Sequence, residues 1–178
     1  MPGPVFIEGD QISLHPLERE DLPFIQTYRN HPDVRQQLGR IQPQNGADLE
    51  ADFEGYMQNG VNLLVCTDNK PVGFVALFNW KESAGRVEIA YWIAPDEQGN
   101  GYATDAVSQA IAYAFDDRRC HKVVAGAHAT NEASRGLLET LSFQQEGRLR
   151  DHIYLDGEWV DAIRYGLLEA EWQDERQA

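Results

Sequence analysis

The sequence predicts an α+β domain with a mixed, mostly antiparallel sheet of seven strands and about four helices. Three observations predict this class. Short apolar runs typical of strands follow one another in Asn62–Thr67, Val72–Trp80 and Arg86–Ala94. An amphipathic helix comes next, with apolar residues at helical spacing between Ala103 and Phe115. A further strand, helix and hairpin complete the chain, so antiparallel pairs stand beside β-α-β units.

The region before these strands predicts one extended segment and two helices. Phe6–Leu17 favours a strand or short hairpin, since its apolar residues alternate and Glu8-Gly9-Asp10 is typical of a turn. Glu20–Asn30 predicts a helix with acidic residues in its first turn, which suits the helix dipole. Ala47–Gln58 predicts a second helix with one apolar face.

The second half of the chain continues the alternation. Lys122–His128 predicts a strand, and Asn131 is a good N-cap for a helix over Glu132–Leu141. Gln144–Leu168 predicts two strands joined at Asp156-Gly157, a strong hairpin signal.

Size and charge exclude several classes of protein. The 178 residues fit a single domain with one core, over residues 1–178. A net charge of -14 opposes general nucleic-acid binding, because a polyanion would be repelled. No run approaches the roughly 18 apolar residues that span a bilayer, and Met1-Pro2-Gly3-Pro4 lacks the features of a signal peptide. We therefore expect a cytoplasmic protein with no membrane or direct nucleic-acid partner.

The acidic excess has two explanations. Lysine supplies three of the 15 basic residues, at Lys70, Lys81 and Lys122. Many carboxylates with few lysines suit a salt-rich cytoplasm, where a large net charge keeps a protein dissolved. An ordinary acidic composition explains the same numbers, and both explanations stay open.

Cysteine and histidine patterns predict neither a disulfide framework nor a metal site. The chain has two cysteines, Cys66 and Cys120, which are too few for a disulfide scaffold or a thiolate zinc site. Cys66 lies in an apolar run and is expected in the core. The five histidines show no metal-binding spacing.

The segment Pro95–Thr104 carries the clearest chemical signal, because it links a strand to the amphipathic helix. Gly99 and Gly101 lack Cβ atoms, so the backbone can turn tightly and a ligand can approach it closely. The free N–H groups of the first helical turn, together with the helix dipole, form an anion site suited to a pyrophosphate. A glycine turn that only begins a helix fits the same residues.

Three kinds of phosphate-binding loop require different residues here. A P-loop requires a lysine directly after Gly101, where the chain has tyrosine. A dinucleotide-binding loop requires Gly or Ala at Thr104 and an acid about 20 residues later, whereas Asp116 and Asp117 come too early. An acyl-CoA loop, Gln/Arg-x-x-Gly-x-Gly/Ala, fits Gln98–Ala103 at every defined position.

Further motifs surround this loop over nearly the whole chain. In order they are Leu14–Asp21, Asn30–Val34, Val87–Ile93, Asn131–Ser134, Leu141–Phe143 and His152–Trp159. Each is weak alone, but in this order and spacing they are specific. With the loop, they resemble the GNAT N-acetyltransferase superfamily, and within it the RimJ/RimL-type enzymes that acetylate ribosomal-protein N-termini.

The resemblance implies the GNAT acyl-CoA N-acyltransferase fold, acetyl-CoA as cosubstrate and no metal. The loop backbone would hold the CoA pyrophosphate, and pantetheine would pair with the open edge of the preceding strand. Asn131 would both cap its helix and bind the pantetheine arm. The residues expected to contact CoA are Trp92, Ile93, Ala94, Gln98, Gly99, Asn100, Gly101, Tyr102, Ala103, Thr104 and Asn131.

The same resemblance implies catalytic roles for Glu88 and Ser134. Glu88 is the expected general base for the acceptor ammonium, with a structural ion pair as the alternative role. Ser134 would lie near the CoA sulfur and assist the departing thiolate, or would only bond to the Asn131 cap. Many GNAT enzymes have a tyrosine where this chain has Leu138, so Ser134, another tyrosine or solvent would act as the acid. The expected reaction is direct transfer, with a backbone N–H near Ile93 polarising the thioester.

The acceptor is expected to be a primary amine. A protein or peptide N-terminus, ribosomal or other, is expected ahead of a polyamine or aminoglycoside. Candidate lining residues are Tyr28, Arg29, His31, Trp80 and Trp159. Two further hypotheses are a non-catalytic acyl-CoA-binding module and, on the partial glycine match, a nicotinamide-dependent oxidoreductase. We expect a monomer or homodimer.

Overall fold

Eight strands form one continuous sheet in the computed structural model, which describes residues 2–177. They are β1 (Ile7–Glu8), β2 (Ser13–Pro16), β3 (Val61–Thr67), β4 (Lys70–Lys81), β5 (Arg86–Ile93), β6 (Lys122–His128), β7 (Gln144–Leu155) and β8 (Glu158–Leu168). The spatial order is β1-β2-β3-β4-β5-β6-β8-β7. Among the described residues only β5 and β6 pair in parallel, so the predicted α+β class with a mostly antiparallel sheet is confirmed.

Six α-helices accompany the sheet within the described residues. They are α1 (Leu22–Arg29), α2 (Pro32–Gln37), α3 (Gly46–Glu54), α4 (Tyr102–Ala112), α5 (Glu132–Thr140) and α6 (Glu169–Gln177). The expected counts of seven strands and about four helices are therefore too low. The predicted domain limits, residues 1 and 178, lie outside the described residues.

The missed elements have little hydrophobic periodicity. Helix α2 has six residues and buries only Val34. Helix α6 is largely charged. Among its described side chains, Trp172 is the one that is buried. The first extended segment is a hairpin of two short strands, in which Ile7 pairs with Leu14. Short or polar elements depend on tertiary contacts more than on their own pattern.

The core has two parts, one on each face of the sheet. On one face, α4 and α5 pack against the sheet through residues such as Val107, Ile111 and Leu138. On the other face, α1 to α3 cover a second cluster that includes Ile25 and Cys66. Burial of Cys66 raises the pKa of its thiol to about 12, as expected for a core residue rather than a reactive one. No helix within residues 2–177 is long and apolar enough to cross a membrane.

Strands β5 and β6 pair over three residues and then separate. Their last parallel pair joins Glu88 to Val124, although β5 continues to Ile93. On its other side β5 stays paired with β4, and the Ala94 N–H donates to the Val72 carbonyl over 2.8 Å. Because N–H directions alternate along a strand, the Ile93 N–H faces away from β4 and into the gap beside β6.

Candidate active site

The gap between β5 and β6 is a cleft of about 760 Å³. Its walls include β5, β6, the loop before α4, and residues of α4 and α5, with further residues from α2, β4, β7 and β8. Of the predicted CoA-contacting residues, those that line the cleft are Trp92, Ile93, Gln98, Gly99, Gly101, Tyr102, Ala103, Thr104 and Asn131. Both predicted catalytic residues, Glu88 and Ser134, line it too.

Two glycines shape the loop that leads into α4. Gly99 and Gly101 have φ angles of 81° and 84°, in the left-handed region that side chains other than glycine rarely adopt. A Cβ added at Gly99 would meet no atom within 4 Å, so a ligand can approach the backbone at this residue. Both positions therefore require the conformational freedom of glycine, as their sequence context predicted.

The backbone N–H groups of this loop are free to bind a ligand. Among residues 2–177, no acceptor bonds the N–H groups of residues 99–104, and the first bond of the helix is from the Asp105 N–H to Gly101 O. Asp105 also accepts from the N–H groups of Gln11 and Ile12, at 2.7 and 3.2 Å, which ties the β1–β2 turn to α4. Unbonded N–H groups at a helix N-terminus favour an anion.

Two loop side chains bond within the loop or to the strand before it. Gln98 Nε2 donates to Ile93 O over 3.0 Å, and Asn100 Nδ2 donates to Glu97 O over 3.1 Å. Asn100 and Ala94 do not line the cleft, contrary to expectation. The Ala94 N–H is used by β4, and the Asn100 side chain turns back onto the loop.

Asn131 caps α5 and fixes the start of this helix beside the cleft. Its Oδ1 accepts from the Ser134 N–H over 3.1 Å. This bond uses one acceptor of the amide group and leaves both N–H donors of Asn131 available to a ligand. The predicted cap is therefore compatible with the predicted contact to a pantetheine amide.

The Ser134 side chain is held by a residue that the sequence did not single out. Tyr91 Oη lies 2.9 Å from Ser134 Oγ and 3.4 Å from the Ser134 carbonyl oxygen. Burial raises the pKa of Tyr91 to about 12, although its bond to Ser134 acts in the opposite direction. The motif Val87–Ile93 contained Tyr91, but no spacing rule connected it to a serine 43 residues later.

Leu138 faces the core and not the cleft. It is fully buried against the sheet, whereas Leu137 is the neighbouring α5 residue that lines the cleft. At this point α5 therefore presents an apolar side chain to the cleft, and Ser134, one turn earlier, presents a hydroxyl.

Glu88 has two protein partners on separate oxygens. Arg164 Nη1 lies 3.6 Å from its Oε1, and Asn79 Nδ2 donates to its Oε2 over 3.0 Å. A quarter of the Glu88 side chain remains exposed. The structural ion pair foreseen as the alternative role exists, and the carboxylate still forms part of the cleft wall.

His128 is a second cleft residue that sequence reasoning missed. It is 7% exposed, and its backbone carbonyl accepts from the Asn131 N–H over 3.0 Å. Since Glu88 is paired with Val124, alternation puts His128 on the same face of the sheet as Glu88. Burial lowers its pKa and favours the neutral imidazole. No sequence signal identified it, because a lone histidine at a strand end has no characteristic spacing.

The predicted acceptor-lining residues are not in the cleft wall, and each has a partner elsewhere. Tyr28 packs on Trp92, and Trp80 lies under Arg118. The other three are equally engaged: Arg29 with Gln44 and Asp52, His31 with the α2 N-terminus, and Trp159 with Tyr154. Gln37, His152 and Ile153 form part of the cleft wall in their place. In the described residues, no three His, Cys, Asp or Glu side chains are placed to hold a metal ion.

Comparison with known proteins gives one family. A protein-family model described as an acetyltransferase (GNAT) domain matches residues 11–144. YdaF of Bacillus subtilis, whose name proposes a ribosomal N-acetyltransferase, is 35% identical over 118 residues. That alignment covers 66% of this chain and 64% of YdaF, so it spans less than two thirds of the relative.

Polyamine acetyltransferases are similar over a longer region. The spermidine N(1)-acetyltransferase of Vibrio cholerae is 26% identical over 167 residues, which cover 92% of this chain and 96% of that protein. The crystal structure of the Vibrio cholerae spermidine N-acetyltransferase with CoA and spermine superposes with a TM-score of 0.86 at 25% identity. It covers 92% of this chain and 98% of that one.

Proposed function

The chain belongs to the acetyltransferase (GNAT) family, and from that premise we propose that it transfers an acetyl group from acetyl-CoA to the N-terminal amine of a protein or peptide. One observation carries the donor side of this proposal. The unbonded N–H groups of residues 99–104 lie at the N-terminus of α4, beside the open edge of β5. The acceptor side rests on the charges that face the cleft.

The residues of the cleft fit coenzyme A. The N–H groups of residues 99–104 and the dipole of α4 would hold the pyrophosphate. The open edge of β5 offers the Ile93 N–H, and Asn131 offers its amide hydrogens, to a ligand that itself contains amides. Acetyl-CoA would supply an acetyl group activated as a thioester.

Three groups of this chain would carry the transfer. Glu88 would accept the proton that the ammonium must lose before its nitrogen can attack, either directly or through water. The Ile93 N–H would polarise the acetyl oxygen as charge develops on it. Ser134 would stabilise the sulfur as the carbon–sulfur bond breaks. No covalent bond to the protein is needed in this scheme.

The acceptor end of the cleft favours an amine with a single positive charge. Glu88 and Glu97 are the carboxylates that line the cleft within the described residues. Glu97 Oε1 accepts from Lys70 over 3.1 Å near the loop, and Glu88 faces Arg164. A polyamine has several cationic groups and would need several unpaired carboxylates. A peptide N-terminus needs one, together with hydrogen-bonding groups for its backbone.

Spermidine or a similar polyamine is the second candidate. The similarity to spermidine acetyltransferases over more than nine tenths of this chain favours it. The net charge of -14 also attracts any cationic acceptor to the protein. The charge acts equally on peptide amines and polyamines and does not separate them.

A direct assay separates these candidates. The protein is incubated with acetyl-CoA and with Ala- or Ser-starting peptides, spermidine or kanamycin, and the release of free thiol is followed. We expect the highest kcat/KM with a peptide. A higher kcat/KM with spermidine would overturn the acceptor and keep the acetyl transfer. Calorimetric CoA binding without thiol release from any amine would instead support a non-catalytic acyl-CoA-binding module.

A further inference from the structure

The hydroxyl groups of Tyr91 and Ser134 join the two walls of the cleft. Tyr91 lies on the part of β5 that β6 no longer pairs with, and Ser134 lies in the first turn of α5. Their oxygens are 2.9 Å apart. Val87 and Ile89, four and two residues before Tyr91, are in the core beneath α4. Alternation therefore directs Tyr91 to the face that carries α4 and α5.

Either hydroxyl of this pair can be the donor, and the choice decides where the Ser134 hydrogen points. The Ser134 hydroxyl has one hydrogen and two lone pairs, and its backbone N–H is already used by Asn131. Within residues 2–177, Tyr91 is the protein group bonded to Ser134 Oγ. When Tyr91 donates to this oxygen, the Ser134 hydrogen has to point elsewhere, and the open side is the cleft. Because burial raises the pKa of Tyr91, its phenol keeps this hydrogen at neutral and mildly alkaline pH.

We propose that Tyr91 is a positioning residue, which donates to Ser134 Oγ and thereby directs the Ser134 hydrogen toward the sulfur of bound coenzyme A. This inference rests on the proposed function of the cleft. A hydroxyl that accepts one hydrogen bond donates a stronger one. In the transfer, the nitrogen–carbon bond forms, the nitrogen loses its second proton to water, the carbon–sulfur bond breaks and the sulfur takes the electron pair. The Ser134 hydrogen bond stabilises this thiolate, and water protonates it after release.

The other side chains of α5 do not offer an equivalent donor near this point. Leu137, one turn further along the cleft wall, is apolar. Thr140 also lines the cleft, but it is six residues from Ser134, which is about 9 Å along a helix axis. The bond from Tyr91 thus distinguishes Ser134 from the other hydroxyl on this helix.

The pKa of the thiol in bound CoA can be measured in the absence of an acceptor, and it tests the proposal without catalysis. The ultraviolet absorbance of the thiolate is titrated in complexes of CoA with the wild type, Tyr91→Phe, Ser134→Ala and the double variant. A Ser134 hydrogen that points at the sulfur lowers the pKa of the CoA thiol. Each single variant should therefore raise this pKa by about one unit. The double variant should match Ser134→Ala, because Tyr91 acts through Ser134.

Two comparisons exclude a purely structural effect. Tyr113→Phe removes a phenol oxygen from a ring that packs on Phe6 outside the cleft, and it should leave the thiol pKa unchanged. Ser134→Thr keeps a hydroxyl and should retain the wild-type thiol pKa. In the assay, Tyr91→Phe should lower kcat about tenfold while the KM for acetyl-CoA changes little. Thermal melts verify that each variant folds. If Tyr91→Phe does not fold, Tyr91→Met is used in its place.

The outcomes separate this proposal from the proposed function. An unchanged thiol pKa in both single variants, or losses in kcat that multiply in the double variant, would overturn the role of Tyr91 and leave acetyl transfer standing. The expected thiol shifts in a wild type that acetylates no amine would support the pair and overturn the proposed function. A wild type that does not bind CoA would overturn both.

Discussion

Arg164 faces Glu88 in the wall of the cleft, with Nη1 of the arginine 3.6 Å from Oε1 of the glutamate. Asn79 holds the other carboxylate oxygen at 3.0 Å. The carboxylate is thus oriented before any acceptor arrives. An incoming ammonium would meet Glu88 beside an arginine that is half exposed and can move toward solvent.

Replacing Glu88 with glutamine tests the role of this carboxylate. Glu88→Gln keeps the size of the side chain and an oxygen that Asn79 can still bond, but it removes the proton acceptor. We expect kcat to fall about 100-fold, as for loss of a general base. The dissociation constant for CoA, measured by calorimetry, should stay unchanged because the substitution leaves the N–H groups of residues 99–104 in place.

Arg164→Met provides the matched control for the ion pair. It leaves Glu88 in place without its cationic neighbour, so the acceptor ammonium no longer competes with an arginine. We expect the KM for the acceptor amine to stay level or fall. If Arg164→Met lost as much activity as Glu88→Gln, the pair would have a structural role and Glu88 would not be identified as the base.

Gly99→Ala and Gly101→Ala test the anion-binding loop. Each would force a residue with a Cβ into a φ above 80°, which costs about 1–3 kcal/mol or makes the loop change shape. Gly101→Ala also brings a Cβ within 3.2 Å of Gln11 Nε2. We expect weaker CoA binding by calorimetry, with the loss greater than the change in thermal stability alone would cause.

Gly136→Ala is the control for these glycine changes. Gly136 lies inside α5, where an added Cβ meets nothing within 4 Å. Alanine favours a helix over glycine by about 1 kcal/mol, so this variant should unfold at a higher temperature. CoA affinity that fell equally in Gly99→Ala and Gly136→Ala would contradict a specific role for the loop.

The sequence predicted the central part of the fold because each element there has a strong local pattern. The strands from Asn62 to Ala94 and the helix after Gly101 combine clear periodicity with glycine or proline boundaries. Helix α2 has one buried residue, so its position depends on the helices around it. No local pattern contains that information.

The part of the site that is formed by one short segment could be predicted from the sequence. The parts formed by residues from distant segments could not. Gln98–Ala103 supplies a complete backbone motif, which sequence alone can show. The pair Tyr91–Ser134 joins residues 43 positions apart, and Glu88–Arg164 joins residues from different strands. The candidate acceptor residues do not line the cleft for the same reason: aromatic and cationic side chains such as Trp80 and Arg118 pack on each other instead.

The acidic excess predicts that salt stabilises the fold, if the composition reflects a salt-rich cytoplasm. With 29 acidic and 15 basic residues, like-charge repulsion favours unfolding, and the Debye length falls to about 3 Å at 1 M salt. For a chain of this size, each kcal/mol of repulsion removed raises Tm by about 2–4 °C. A thermal melt in low and molar potassium chloride measures the effect. An unchanged Tm would remove the salt-rich explanation and leave ordinary acidic composition.

Unfolding by urea at two pH values tests the state of His128. Burial lowers its pKa in the folded protein, whereas the unfolded chain binds a proton near pH 6.5. The unfolded state therefore binds more protons between these two pKa values. The contribution of His128 to stability should be complete above about pH 6.5 and should decrease as the pH falls toward the pKa of His128 in the folded protein.

His128→Asn should lose less stability between pH 7.5 and about pH 5 than the wild type. His121→Asn, at an exposed histidine, should behave like the wild type. An identical loss in the wild type and His128→Asn would show that other groups cause the acid sensitivity and that His128 gains its proton without cost to the fold.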